Sequence, residues 1–197
     1  KQLDGFVSLV YDTLVLNNVP EECIFLNANL ELPGYYRPSK KWDLLVVDND
    51  KLIIAIEFKS QVGPSFGNNY NNRTEEAMGS ALDLWTAYRE DVFGTHRPWL
   101  GYFMVLEDCE ESSRMVSVRS PHFPIREEFN NTSYKDRYGI FCKKLVLESQ
   151  YSAACFLTTH SDGNHCTYSF PQTELTCRQF LASMLGAAVS QFLENGD

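Results

Sequence analysis

The chain has 197 residues, 44% hydrophobic and 22% charged, a composition ordinary for a globular protein that buries a sizeable core. No apolar run approaches the roughly 20 residues that a membrane span requires, so the sequence predicts no membrane-spanning helix. The net charge of −9 argues against a uniformly basic nucleic-acid binder, but one face can still be basic around Arg37, Lys40 and Lys41.

The cysteines are scattered and form no Cys-x-x-Cys pair, which predicts free thiols in a reducing cytoplasm. His160, His165 and Cys166 lie close together, but their spacing matches no structural zinc pattern, and a hairpin turn explains them better. The six cysteines are Cys23, Cys109, Cys142, Cys155, Cys166 and Cys177.

The first predicted element is an amphipathic helix over residues 3–17, with apolar residues at helical spacing and Asp4 in its first turn. The chain opens with Lys1 rather than Met, so we expect a single domain over residues 1–197 that lacks an N-terminal segment. Residues 21–41 are rich in Pro and Gly and are predicted to form a loop.

A β-hairpin is predicted next, with strands 44–47 and 52–58 joined by a turn around residues 48–50. A three-residue loop or a bulge places Asp43 opposite Glu57, with Lys59 on the same face, whereas a plain two-residue loop points Asp43 away. Two adjacent carboxylates can hold one hard cation, and the Lys59 ammonium can then polarise a water molecule. This pattern resembles the PD-(D/E)XK nuclease motif, but Asp, Glu and Lys also commonly flank strands as solvated ends.

Residues 60–73 combine many asparagines with aromatic residues, and two interpretations stay open. The block is either a polar surface loop or a set of carboxamides and one guanidinium that read DNA base edges. The residues concerned are Asn68, Asn69, Asn71, Asn72 and Arg73.

A helix is predicted to begin at Asn72, where Glu75 completes a box-like start, and to end near Gly94. Strands are predicted over residues 99–106, 145–147, 151–158 and 167–170, with an irregular stretch at 107–138 and a turn at 161–164. Residues 175–193 are predicted to form a long C-terminal helix with an apolar stripe.

Several blocks in fixed order resemble the XhoI/PaeR7I family of type II restriction endonucleases. The resemblance covers most of the chain up to about residue 150, and VGPSFGNN is its most specific part. The blocks are LDGF at 3–6, LPGYYRPSKKWD at 32–43, EFKS at 57–60, VGPSFGNNYNNRTEEAMGSALDL at 62–84, VLEDC at 105–109, SPHFP at 120–124, and SY with RY at 133–138.

The resemblance implies an α/β (α+β) restriction-endonuclease-like PD-(D/E)XK fold, a mixed central sheet flanked by helices. It also implies an Mg²⁺-dependent homodimer that cuts double-stranded DNA at a palindrome such as CTCGAG, in a bacterial or archaeal cytoplasm, alongside a cognate DNA methyltransferase. By position, Asp43 and Glu57 would be metal ligands, Lys59 the water-polarising base and Asp4 a supporting acid.

We expect a site-specific endonuclease whose first DNA contacts come from residues 68–73. Arg119, His122, Tyr134 and Arg137 are the second set of predicted DNA contacts. The alternative is a non-cleaving DNA-binding or sensing module of a larger defence protein; the acidic charge favours this alternative, and the intact acidic pair and lysine favour the enzyme.

Overall fold

The computed structural model describes residues 3–163 and 165–193. Short 3₁₀ turns occur at Glu21–Cys23 and Glu127–Phe129. The helices and strands, in chain order, are α1 (Asp4–Leu16), β1 (Ile24–Phe25), β2 (Glu31–Pro33), β3 (Ser39–Lys41), β4 (Leu44–Asp48), β5 (Lys51–Gln61), α2 (Phe66–Arg89), β6 (Trp99–Glu107), α3 (Glu110–Ser113), α4 (Tyr134–Leu147), β7 (Ala153–Ser161), β8 (Cys166–Ser169) and α5 (Cys177–Leu193).

Six strands form one mixed sheet in the order β1-β4-β5-β6-β7-β8. The three central strands β5, β6 and β7 are parallel to one another, while β1, β4 and β8 pair antiparallel to their neighbours. Strands β2 and β3 form a separate two-stranded hairpin that leads into β4. The 11-residue strand β5 therefore has β4 on one side and β6 on the other.

Helices cover both faces of the sheet, and each face has its own apolar core. One core packs α2 and α4 against the sheet through residues such as Trp85 and Phe141. The other packs α1 and α5 through residues such as Leu14 and Phe180. Burial on both faces explains why Leu52–Phe58 is a nearly continuous apolar run rather than an alternating one. The predicted mixed sheet flanked by helices is confirmed.

Four predicted elements were wrong in type or extent. The stretch 107–138, predicted to be irregular, contains α3 and the first turn of α4. Residues 21–41 contain β1, β2 and β3 as well as turns. Helix α2 begins at Phe66, six residues before the predicted start at Asn72. The buried Phe66 ring stacks on Tyr134, and this contact outweighs the low helix propensity of the asparagines. Residues 145–147 end α4 rather than forming a strand, since Leu145 continues the buried stripe of Phe141 one helical turn earlier.

The remaining predicted elements are confirmed within a few residues, among them α1, β6, β7, β8 and α5. The predicted turn at 161–164 includes Asn164, which lies outside the described residues. Among the described residues, the helices are too short or too polar to cross a membrane.

Candidate active site

The β4–β5 hairpin sets the register between the two predicted metal ligands. Its turn has only two residues, Asn49 and Asp50, both with positive φ (46° and 65°), which matches the twist of a tight hairpin. A bulge follows, because Val46 pairs with Ile54 while Val47 pairs with Leu52. Of the two predicted alternatives, the three-residue loop is wrong and the bulge is confirmed, and the bulge gives the register that the longer loop would have given. Leu44 then pairs with Ile56, and the next position brings Asp43 opposite Glu57 in sequence register.

Glu57 is a buried carboxylate within the apolar run Leu52–Phe58 of β5, with only 2% of the residue exposed. Its Oε1 lies 2.6 Å from Lys59 Nζ and 3.4 Å from Lys40 Nζ. Its Oε2 is buried without a hydrogen-bond partner in the protein. These side chains line a cavity of about 600 Å³ between β5 and the middle of α2.

Asp43 is exposed and is held by backbone hydrogen bonds immediately before β4 begins. Its Oδ2 accepts a hydrogen bond from the Phe58 amide at 2.8 Å, and its own amide donates to Ile56 O at 3.2 Å. The side chain lines a second cavity, of about 530 Å³, which also contains Asp4 on α1. The structure thus groups Glu57 with Lys59 and groups Asp43 with Asp4, on the two sides of Phe58.

Sequence reasoning did not assign a role at the site to two further charged residues, Lys40 and Glu76. The half-buried Lys40 packs its ammonium over the Trp42 ring at 4.2 Å; burial lowers the pKa of Lys40, while the Glu57 charge raises it. Glu76 Oε2 lies 3.8 Å from Lys59 Nζ and accepts from Arg73 Nη1 at 2.7 Å. In β3 the side chain of Lys40 faces inward, while those of Ser39 and Lys41 on either side are exposed. Because side chains alternate between the two faces of a strand, this position could have been inferred from the sequence.

The oxygen donors here suit a hard cation. An anionic oxygen buried without a donor, as Glu57 Oε2 is, can be satisfied by a metal ion, and carboxylates are the protein ligands that Mg²⁺ prefers. Asp43 offers a second carboxylate on the neighbouring strand. Within residues 3–163 and 165–193, no group of three or more His, Cys, Asp or Glu side chains is placed to hold a metal ion, and metal binding by Asp43 together with Glu57 stays a prediction.

The asparagine block lies on the first two turns of α2 rather than in a loop, and it divides into two groups. Asn68, Asn71 and Asn72 are exposed. Asn69 is directed toward Pro64 O at 3.5 Å, and Arg73 pairs with Glu76 and lines the cavity of Glu57. The three exposed carboxamides are available to a DNA groove, whereas Arg73 faces the proposed catalytic cavity.

The second predicted set of DNA contacts also divides. Arg119 and His122 are exposed in the segment between α3 and α4. Arg137 is buried and donates to Thr132 Oγ1 at 3.0 Å and to Val116 O at 2.8 Å, which ties both ends of that segment to α4. Tyr134 is half-buried beside the Phe66 ring, with the Arg137 guanidinium 5.3 Å from its centroid. Contact with DNA stays a prediction for all four residues.

Comparison with known proteins agrees with the geometry. The model of a family described as restriction endonuclease XhoI matches residues 1–170. The type II restriction enzyme BstVI of Geobacillus stearothermophilus is 46% identical over 192 residues, which is 94% of this chain and 86% of that protein. The type II restriction enzyme XhoI of Xanthomonas vasicola is 50% identical over 151 residues, 75% of this chain and 61% of the relative. AbrI of Azospirillum brasilense, a type II restriction enzyme, is 55% identical over 125 residues, 62% of this chain and 56% of the relative.

No solved structure matches the chain. The family match spans the hairpin, the Glu57 cavity and all of α2, so it covers the whole candidate site as well as all six strands of the sheet. The chain belongs to the XhoI restriction endonuclease family.

Proposed function

We propose that the chain hydrolyses phosphodiester bonds in double-stranded DNA at a palindromic site similar to CTCGAG, with Mg²⁺ as its cofactor. The observation that carries this proposal is the buried Glu57 carboxylate, which has Lys59 on one oxygen and no protein partner on the other. Burying such a charge costs stability unless it is compensated. A cation and a phosphate at this position account for an otherwise unfavourable arrangement.

Each charged residue of the site has a separate role in the proposed reaction. Glu57 and Asp43 would hold the metal, which supplies charge neutralisation at the phosphate and orients the attacking water. Lys59 Nζ, already 2.6 Å from Glu57, is positioned to polarise that water for in-line attack, with the 3′ oxygen leaving and a 5′-phosphate as product. Lys40 is a second ammonium beside the same carboxylate. Asp4 shares the cavity of Asp43 and would act as a supporting acid.

A palindromic site and a two-fold protein dimer match each other in symmetry, so we propose a homodimer on DNA. Sedimentation velocity with a cleavable duplex should show two chains per duplex, and a monomer both free and bound would contradict this. The family context also leads us to propose a cognate DNA methyltransferase that protects the same site.

A plasmid assay tests the activity. The full chain is incubated with plasmid carrying one CTCGAG sequence, with Mg²⁺ and, separately, with EDTA. We expect linear plasmid in Mg²⁺, none in EDTA, and none after mutation of the sequence to CTCGAA. Sequence-dependent binding without any cutting in Mg²⁺ would instead support the alternative of a non-cleaving DNA-binding or sensing module.

A further inference from the structure

The hairpin formed by β2 and β3 ends in a turn that is fixed to helix α2 by one buried carboxylate. Asp83 is 4% exposed, and its hydrogen-bond partners come from residues 46–48 positions earlier in the chain. Its Oδ1 accepts from the amides of Tyr35 and Tyr36, both at 2.8 Å, and its Oδ2 accepts from Arg37 Nε at 2.7 Å. Asp is a poor residue for a helix interior, so its presence here serves the turn rather than the helix.

The turn is closed tightly around that carboxylate. A Cβ placed on Gly34 would lie 2.5 Å from Asp83 Oδ2 and 2.7 Å from the Arg37 carbonyl oxygen, so no side chain fits at this position. Burial raises the pKa of Asp83, but the hydrogen bonds from Tyr36, Arg37 and Tyr35 outweigh it and lower the pKa overall. The backbone of residues 34–37 therefore has a fixed position relative to α2 at neutral pH.

This rigid turn exposes two large aromatic side chains. Tyr35 is 54% exposed and Tyr36 66% exposed, and their rings touch only edge to face, with centroids 5.0 Å apart. Arg37 is 41% exposed in its side chain: Nε is committed to Asp83, and Nη2 reaches Ser80 Oγ at 3.5 Å, a length at the limit for a hydrogen bond. Most of the five N–H donors of the guanidinium are therefore not used by Asp83.

The turn forms the rim of the cavity that contains the proposed catalytic residues. Tyr36 and Arg37 line the same 600 Å³ space as Glu57 and Lys59. A phosphodiester that reaches Glu57 must bring the flanking nucleotides past this rim. A fixed guanidinium suits a phosphate oxygen, and an exposed aromatic face suits a sugar or an unstacked base.

We propose that the turn at residues 34–37 is a DNA clamp, in which Arg37 contacts a phosphate next to the scissile one and Tyr36 packs against the adjoining nucleotide. Asp83 is its positioning residue, because it orients Arg37 and the Tyr36 backbone without contacting DNA. The inference rests on the proposed nuclease function. Because a phosphate contact carries no sequence information, the clamp supports binding to every site equally.

The clamp is tested with a 30-base-pair duplex carrying CTCGAG, with binding measured in the non-cutting Glu57→Gln background and cleavage in the parent. Arg37→Ala should weaken binding on the order of tenfold and reduce the slope of log affinity against log salt by about one phosphate contact. Tyr36→Ala should also weaken binding on the order of tenfold, while Tyr36→Phe stays close to the parent. Arg178→Ala, which removes the same charge from an exposed position on α5, is the matched control and should leave the salt slope unchanged.

Asp83→Asn should raise KM for cleavage severalfold with a much smaller change in kcat, because it disorders a binding contact rather than the reacting groups. A lower melting temperature with unchanged KM would make Asp83 a stabilising residue only and would overturn its positioning role. The Tyr36 ring is exposed, so we expect Tyr36→Ala to keep the fold. Parental DNA affinity in both Tyr36→Ala and Arg37→Ala would overturn the clamp.

If Tyr36→Ala dissociates a dimer while Arg37→Ala keeps the parental salt slope, the turn is a contact between subunits and not a DNA clamp. A parent that neither binds nor cuts the duplex would overturn the nuclease proposal itself, whereas a parent that cuts normally leaves the clamp to be judged by its variants.

Discussion

The two buried carboxylates among the described residues, Glu57 and Asp83, have opposite relations to their surroundings. Asp83 receives three hydrogen bonds that satisfy both oxygens. Glu57 has two ammonium groups near one oxygen and no partner on the other. Both residues line the same cavity, so the difference arises from the partners that the chain supplies and not from depth.

The difference separates a carboxylate that holds the fold together from one that is kept for a ligand. A buried charge with all its hydrogen bonds made can stabilise a structure, whereas a buried charge with an unmade bond costs free energy. Proteins tolerate such a cost mainly at functional sites. The comparison therefore predicts that substitutions at Glu57 and Asp83 change different measurable properties.

Glu57→Gln should have the largest effect on activity. The amide keeps the shape but removes the charge that a hard cation needs, so the cleavage rate should fall by a factor on the order of a thousand or more. DNA affinity should hold or rise, because one negative charge beside the phosphate is lost, and the melting temperature should not fall. Single-turnover cleavage, fluorescence anisotropy and thermal melting measure these three quantities. If Glu57→Gln cleaved DNA at the parental rate in Mg²⁺, the β4–β5 hairpin would not be the active site.

Asp43→Asn should also abolish most cleavage, by about a hundredfold or more, if Asp43 and Glu57 share one ion. The Asn oxygen can still accept a hydrogen bond from the Phe58 amide, so the start of β4 should keep its conformation. Measurement of cleavage at increasing Mg²⁺ concentrations separates weaker metal binding from a slower reaction. Parental rates at every Mg²⁺ concentration would assign the metal to Glu57 with partners other than Asp43.

Asp83→Asn should change stability. Loss of the charge weakens three hydrogen bonds to a buried group, which should cost about 1–3 kcal/mol in free energy of unfolding at neutral pH. The lowered pKa of Asp83 in the fold means that its stabilisation is present above the unfolded-state pKa of about 3.9 and is lost as pH falls through the folded-state pKa. Urea titrations of both proteins should therefore show a difference that shrinks below about pH 4. A difference that is constant between pH 7 and 3 would argue against a role for the Asp83 charge.

Glu57 was identifiable from sequence because a lone carboxylate interrupts the apolar run Leu52–Phe58, and Lys59 follows at the period of a strand. The sequence left two possible registers for the hairpin, one with Asp43 facing Glu57 and one with Asp43 pointing away. A two-residue turn followed by a bulge gives the same pairing as a longer loop, so the turn length alone does not decide between them. The register depends on one inserted residue, Ile53, and an apolar run carries no signal of where an insertion falls.

Local sequence patterns do not predict contacts between residues that lie far apart in the chain. Asp83 was not predicted to have a role, because its partners lie 46–48 residues earlier, in a stretch that reads as a loop. The start of α2 was misplaced for a similar reason: local propensity disfavours Asn in a helix, while the stacking of Phe66 on Tyr134 is a contact across 68 positions (134 − 66). The different cavities of Asp43 and Glu57 follow from a bend at Asp43 just before β4, which strand alternation does not predict.

Asp4→Asn should have the smallest effect and tests which side of Phe58 carries the metal. Asp4 is exposed on α1 and shares a cavity with Asp43, so its charge would support the ion from a distance rather than bind it directly. We expect cleavage to slow a fewfold at limiting Mg²⁺ and to recover at saturating Mg²⁺, because a remote charge mainly raises the local cation concentration. Asp12→Asn, an exposed acid later on the same helix and outside both cavities, is the matched control for net charge. Identical Mg²⁺ dependence for the two variants would leave Asp4 with no role in the reaction. A loss of cleavage as severe as that of Glu57→Gln would reverse the comparison and place the metal between Asp4 and Asp43, with Glu57 serving to hold Lys59.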